Sequence, residues 1–369
     1  MRASVEQEPA RPGHAYTQAG VDSARQERAL EGFLQHIRST ASRRQLLPIS
    51  LFANVLDLGN KIGLAVSMDG VGSKALIAQM MDRYDTIGID CVAMNVNDLL
   101  CVGATPIAML DYIAVRVPDE SLLDQIGSGL AEGAREANIE IPGGEIAQIK
   151  DMLHGYSEER AFDLVGCAVG TVPTDRILTG RDIREGDVVV GLRSSGIHSN
   201  GLSLARRVLL DSGAFTVESE VDELGQTVGT ELLRPTHIYV KPVLEMLASG
   251  LRIKSLAHIT SDGFANLRRI QANFGFVIEY LPDPQPIFSL IEKLGAIPRG
   301  EMFTVFNMGV GFCLVLDSAD ANRAIEVAAQ HNVEAYALGY AVPDPERRVH
   351  LKPVGLVSEG SCFVPASDS

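Results

Sequence analysis

The sequence predicts an α/β (α+β) fold divided into two domains. Its 369 residues amount to about two domains at the usual size of roughly 100–200 residues each. Strand-like apolar runs alternate with segments of helical period, which is the pattern of helices packed on sheets. The alternation halts at Pro173-Thr-Asp-Arg-Ile-Leu-Thr-Gly180, a stretch of turn composition without a period, and then begins again. This divides the chain into a loose arm at 1–15, a first domain at 16–174, a second at 175–355 and a tail at 356–369.

Each element rests on a local signal. From Arg25, Leu30, Phe33, Leu34, Ile37 and Ala41 follow helical spacing. Ile62 to Met68 reads as a strand, Lys74 to Arg83 and Gly88 to Leu100 as helices, and Pro106 to Val115 as a strand. An amphipathic helix follows from Glu120 to Ala137, then a strand from Phe162 to Val172. In the second half, strands are expected at Asp187–Leu192, Ile253–Ile259, Phe276–Leu281 and Val310–Leu316. Helices are expected at Leu202–Leu210, Pro235–Ala248 and Ala319–Gln330.

Composition removes whole classes of function. The net charge is −15, and phosphate backbones or anionic membranes need a clustered Lys/Arg surface, so neither nucleic acid nor membrane is expected as a partner. A small phosphorylated ligand stays open, because a cation and a few backbone amides can override global charge. The five cysteines show no C-x-x-C spacing and lie mostly among apolar residues, which reads as reduced, buried thiols without zinc. The N-terminal stretch has no apolar core and no run reaches about 18 apolar residues, so a cytoplasmic protein is expected.

Several segments carry chemistry. In Ser67-Met-Asp69-Gly70-Val-Gly72-Ser73-Lys74 a strand ends in a carboxylate, two glycines permit a tight turn, and a helix opens with a lysine. Such a turn can face an anion with backbone amides while Asp69 holds a cation against it; it also reads as a common Asp-Gly turn. It is not a P-loop, since G-x-x-x-x-G-K-[ST] occurs nowhere. Asp90, Asn95, Asn97 and Asp98 put polar groups into an otherwise apolar helix, as a metal site or as a solvated face. Gly143-Gly144-Glu145 offers close backbone approach and a third carboxylate, or a plain exposed turn. Ser194-Ser195-Gly196-Ile-His198-Ser199-Asn200-Gly201, between a strand and a helix, suits phosphate binding by amides and hydroxyls. Its imidazole could move a proton near neutral pH, and the bland reading is a helix cap. His14, His36, His154, His237, His331 and His350 show no ligand spacing and read as surface or core groups.

Taken in order, these segments resemble the aminoimidazole ribonucleotide synthetase (phosphoribosylformylglycinamidine cyclo-ligase) family over roughly residues 16–355. The matching stretches are Tyr16-Thr-Gln-Ala-Gly-Val-Asp22, Asp69-Gly-Val-Gly-Ser-Lys74, Asp85-Thr-Ile-Gly-Ile-Asp90 with Val96-Asn-Asp98, and Gly143-Gly-Glu145. Ser194–Gly201, Pro235-Thr-His-Ile-Tyr-Val-Lys241 and Phe306-Asn-Met-Gly-Val-Gly311 complete the set. The resemblance implies a two-domain PurM-like fold, with a mixed N-terminal sheet that dimerises and ATP sites near that interface. It implies ATP and Mg²⁺ as cofactors and closure of the imidazole ring of formylglycinamidine ribonucleotide. By match, Asp69, Asp98 and Glu145 would bind the metal. Gly70, Gly72, Ser73, Lys74, Asp90 and Asn97, with the two aspartates, would bind ATP. Gly144, Glu145, Ser195, Gly196, His198, Ser199 and Asn200 would bind substrate, and Asp69, Lys74 and His198 would be catalytic. Three stretches depart from the family: Leu47–Asp57 lacks the usual glycine-rich loop, Gly144-Glu-Ile-Ala-Gln-Ile-Lys150 replaces Gly-Glu-Thr-Ala-Glu-Met-Pro, and Thr260-Ser-Asp-Gly263 replaces Thr-Gly-Gly-Gly. The remaining alternatives are a related ATP-dependent enzyme with another acceptor and a non-catalytic nucleotide-binding protein of the same fold.

Overall fold

The structure, a computed structural model, describes residues 14–21, 23–49 and 51–366. The arm expected at 1–15 lies outside the described residues up to residue 13. Two sheets organise the chain.

The first is built from β1 (Asn54–Asp57), β2 (Ile62–Gly70), β3 (Thr105–Val115), β4 (Gly144–Gln148) and β5 (Phe162–Pro173), in the order β1-β2-β5-β3-β4. Neighbours run antiparallel except β3 and β4, which are parallel. Ahead of it come α1 (His14–Gln18) and α2 (Ser23–Arg38), and within it α3 (Lys74–Met81), α4 (Ile87–Leu100) and α5 (Glu120–Ala137). The α5 helix has the bounds read from its sequence, because both ends are capped. The Asp119 carboxylate accepts the Leu122 N–H at 2.8 Å, and Asn138 turns left-handed with φ +54°. α4 packs on the sheet and against α5, and the crossing with α5 is so close that a Cβ on Gly88 would strike the α5 backbone at Gly129–Leu130.

The second sheet takes β6 (Val188–Arg193), then β9 (Ile253–His258), β10 (Phe274–Ile278), β11 (Val310–Leu316), β12 (Ala335–Pro343), β13 (Val349–Leu351), β14 (Leu356–Glu359) and β15 (Cys362–Pro365), while β7 (Glu220–Val221) and β8 (Gln226–Thr227) form a separate pair. The order is β15-β14-β13-β10-β12-β6-β11-β9, antiparallel but for β10 with β13. Its helices are α6 (Leu202–Arg206), α7 (Val228–Leu232), α8 (Val240–Ala248), α9 (Pro286–Gly295), α10 (Arg299–Val305) and α11 (Ala321–Gln330). All seven residues of β11 are buried, as expected for a strand covered on both faces.

Three expectations need correction. Residues 356–365 are not a tail: β14 pairs with β13 on one side and with β15 on the other, and Phe363 is buried against α10. Residues 16–18 do not belong with the first domain. The Glu301 carboxylate accepts the Tyr16 N–H at 2.8 Å and the Gln18 carbonyl-side oxygen accepts from Arg207 at 2.8 Å, so this segment docks on the second domain. The helix expected at Pro235–Ala248 starts only at Val240, because the backbone of the preceding residues bonds across to the first domain instead of to itself. Among the described residues no helix is long and apolar enough to cross a membrane, and the five cysteines are free, with Cys91, Cys101 and Cys313 buried.

Candidate functional site

The site is built at the seam of the two domains. Strand alternation turns Ser67 and Asp69 of β2 toward α4 and puts Met68 on the outer sheet face. Asn95 of α4 holds the end of β2 as a neighbouring strand would: its Oδ1 accepts the Asp69 N–H at 2.9 Å and its Nδ2 donates to the Asp69 carbonyl at 3.1 Å. The Asp69 carboxylate accepts the Gly70 N–H at 2.7 Å. Burial, and then the nearby Asp98 charge, push Asp69 up to about 6, against the pull of the Gly70 bond and of His258. Asp98 is the one residue of α4 that is not buried, and His258 Nδ1 at the end of β9 holds its Oδ1 at 2.9 Å.

Three of the residues expected to face ATP do something else. Lys74 is wholly buried; its amine lies 2.9 and 2.8 Å from the two Asp90 oxygens and donates to the Arg234 carbonyl at 2.7 Å. Burial lowers its pKa and Asp90 opposes that. Asp90 Oδ1 also accepts the Thr236 N–H at 2.7 Å, the Thr236 hydroxyl at 2.6 Å and the Ser199 hydroxyl at 3.2 Å. Asn97 donates to the His237 carbonyl at 2.9 Å and accepts the Tyr239 N–H at 3.0 Å. Lys74, Asp90 and Asn97 therefore fasten the extended segment Arg234–Tyr239 to the first domain, and none of them is exposed to a nucleotide. Gly70 and Gly72 shape the turn, with φ +58° at Gly72, and Ser73 Oγ accepts from Ser203 Oγ at 2.9 Å.

The Ser194–Gly201 loop is fixed from several sides. Asn307 accepts from Ser194 Oγ at 3.0 Å and donates to the carbonyls of Gly196 and Ile197 at 2.9 and 3.1 Å. Ser195 Oγ donates to the Pro235 carbonyl at 2.5 Å, and Ser199 Oγ meets Thr236 Oγ1 at 3.0 Å. His198 stands at φ +67°, and its Nε2 accepts the Ser195 N–H at 3.2 Å and the His237 N–H at 3.5 Å. Burial, with the His258, His237 and Lys74 charges, holds its pKa well below 6.5. Through Nε2 the ring acts as an acceptor for the backbone. His198 Nδ1 and Asn200 Oδ1 are buried without a protein partner, which leaves two polar atoms for a ligand.

The third metal carboxylate does not arrive. Across the sheet, Asp69, Gly166, Asp111 and Gly144 share one row, and Gly70, Val165, Tyr112 and Glu145 share the next. Glu145 is thus three strands from Asp69, on the order of 14 Å, and on the outer face that Tyr112 exposes. Among the described residues no group of three or more His, Cys, Asp and Glu side chains could hold a metal ion. Of the three expected carboxylates, Asp98 is the one whose charge acts on Asp69, second to burial.

The description "AIR synthase related protein, N-terminal domain" matches residues 52–172, and its C-terminal domain counterpart matches residues 184–352. The chain belongs to the AIR synthase related protein family. Two similar relatives are the phosphoribosylformylglycinamidine cyclo-ligases of Methanocaldococcus jannaschii, 46% identical over 335 residues (90% of this chain, 93% of the relative), and of Methanothermobacter thermautotrophicus, 45% identical over 313 residues (85% and 90%). Among solved structures, thiamine-monophosphate kinase from Stenotrophomonas maltophilia superposes with a TM-score of 0.58 at 20% identity, over 86% of this chain and 94% of that one. Thermotoga maritima PurL complexed with ATP gives 0.54 at 16%, over 85% and 45%. These two share the fold.

As a member of the AIR synthase related family, the chain keeps its charged motifs at one seam, and the structure adds two residues that sequence reasoning missed. His237 was read as a surface or core group, yet its backbone is held by Asn97 and its ring packs on Tyr239 at 5.1 Å. His258 fell inside the strand expected at Ile253–Ile259 and was assigned no role there. A histidine ending a strand just before Thr260-Ser-Asp-Gly263 was the available signal.

Proposed function

We propose that this protein closes the imidazole ring of formylglycinamidine ribonucleotide with ATP, giving 5-aminoimidazole ribonucleotide, ADP and phosphate in purine synthesis. The observation that carries the reading is the 46% identity to a cyclo-ligase over 335 residues, covering 93% of that relative. In this reaction ATP phosphorylates the amide oxygen, turning it into a good leaving group. A ring-forming nitrogen then attacks the same carbon and phosphate departs. Such chemistry asks the protein mainly to position groups and balance charge.

The seam suits that work. Mg²⁺ is usually held by one or two carboxylates plus substrate phosphates, and Asp69 with Asp98 is such a pair. Burial first, and the Asp98 charge second, disfavour the ionised Asp69, and a divalent cation would relieve both. When bound, the ion would neutralise phosphate charge. The Ser194–Asn200 loop would receive the substrate, offering His198 Nδ1 and Asn200 Oδ1. Lys74, Asp90 and Asn97 would act through the loop they fasten.

A homodimer fits the first sheet. Its outer face exposes Ile62, Met68, Leu110 and Tyr112, an apolar surface of the kind that marks an interface. Glu145 would then sit at the dimer contact. The test is ADP release with formylglycinamidine ribonucleotide present or absent, with and without Mg²⁺. Release that needs both supports the reading, while release indifferent to that substrate points to another acceptor.

A further inference from the structure

We propose that His258 is the positioning residue that aims the Asp98 carboxylate into the seam. The inference deepens the reading of Asp69 and Asp98 as a cation-and-phosphate site and rests on it. Asp98 needs such a holder. It is the only unburied residue of α4, and it lies one turn beyond Asn95, which holds Asp69 by its backbone. Left alone, like charges would turn Asp98 outward toward water. One bond prevents this: His258 Nδ1 at 2.9 Å from Oδ1, reaching from the other domain.

The ring is locked for the task. His258 is fully buried, it ends β9, which is bonded along β11 in the register His258 to Phe312, and its ring lies 6.1 Å from that of Phe312. A carboxylate only accepts, so Nδ1 carries the hydrogen of this bond. Nε2 is buried without a protein partner. Burying a polar ring atom without a partner is unfavourable, so packing alone does not favour a histidine here. The Asp98 bond does. Because it spans the domains, the carboxylate is oriented only when the second domain is docked, which ties assembly of the acidic pair to assembly of the Ser194–Asn200 loop.

The test compares His258→Asn, whose amide reproduces the Nδ1 donor, with His258→Gln, whose donor lies at the Nε2 position, and with His258→Phe, which has none. Three readouts are taken: melting temperature, Mn²⁺ affinity by electron paramagnetic resonance in the presence of ADP, and kcat. Outer residues that orient a metal-holding carboxylate are typically worth roughly 10–100-fold in affinity or activity. H258F and H258Q are expected to lose that much in both Mn²⁺ affinity and kcat while H258N stays within about threefold of the wild type. If H258F does not fold, the contrast of H258N with H258Q decides. The proposal is overturned if H258Q matches H258N, if folded H258F binds Mn²⁺ normally, or if the wild type does not bind Mn²⁺. A wild type that binds Mn²⁺ through His258-dependent Asp98 yet ignores formylglycinamidine ribonucleotide would remove the cyclo-ligase reading and leave this one standing.

Discussion

Replacing Asp90 by Asn is the most informative perturbation of the interdomain fastening. Asp90 Oδ1 receives four donors, three of them from the second domain, and it is the counter-charge of a lysine that no solvent reaches. An Asn keeps the shape and a carbonyl oxygen for Thr236, so the loss isolates charge. Breaking a buried ion pair from one side typically costs about 3–5 kcal/mol, because the other charge stays buried and uncompensated. At roughly 2–4 °C per kcal/mol, the melting temperature should fall by on the order of 10 °C. The assay is urea unfolding of D90N, Lys74→Met and the double variant. D90N is expected to lose about 3–5 kcal/mol. The double variant should lose at least about 1.5 kcal/mol less than the two single losses combined, since removing both charges leaves neither stranded. Losses below 1 kcal/mol for D90N, or strict additivity, would refute the fastening. A folded D90N should also show reduced kcat, because Ser199 and the Arg234–Tyr239 segment lose their anchor.

Three further outcomes are expected. Asp69→Asn should abolish substrate-dependent ATP turnover yet raise stability at pH 7.5 by about 2–3 kcal/mol, because the native pKa of about 6 lies above the usual 3.8 and ionisation is unfavourable in the fold. The sign follows: the native state binds more protons than the unfolded state between those values, so wild-type stability from this group falls as pH rises from 4 to 6. Unfolding curves of both proteins should converge near pH 4. Gly263→Ala should destabilise by about 2 kcal/mol or more in thermal unfolding, since φ is +52° and a Cβ would meet the carbonyl oxygens of Phe303 and Phe306. Met68→Glu, on the outer sheet face at 70% exposure, should give a folded monomer in sedimentation analysis.

Much of the fold was legible because local and tertiary preferences agree. The α5 helix carries its own caps, and β11 is apolar throughout, so each could be read alone. β4 could not: it begins at a glycine, its residues are mostly exposed, and only pairing with β3 makes it a strand. The Pro235–Tyr239 stretch looked helical because its side chains are, while side chains 140 or more residues away claim its backbone. The same distinction governs the site. Residue types singled out Asp69, Lys74, Asp90, Asn97 and Asp98, since charged and polar groups on apolar elements need partners. Which partner each takes is a matter of distance across a domain seam, and spacing along a helix does not contain it. Glu145 shows this best: Gly143-Gly144-Glu145 matches the family, and strand parity turns the side chain to the opposite face.

The account stands most directly on paired product measurement. Formylglycinamidine ribonucleotide, ATP and Mg²⁺ are mixed with the full chain, and ADP and aminoimidazole ribonucleotide are quantified together. One ADP per imidazole formed, with neither produced when the ribonucleotide is left out, is the expected result. ADP without imidazole, or no turnover by a folded protein, would contradict it.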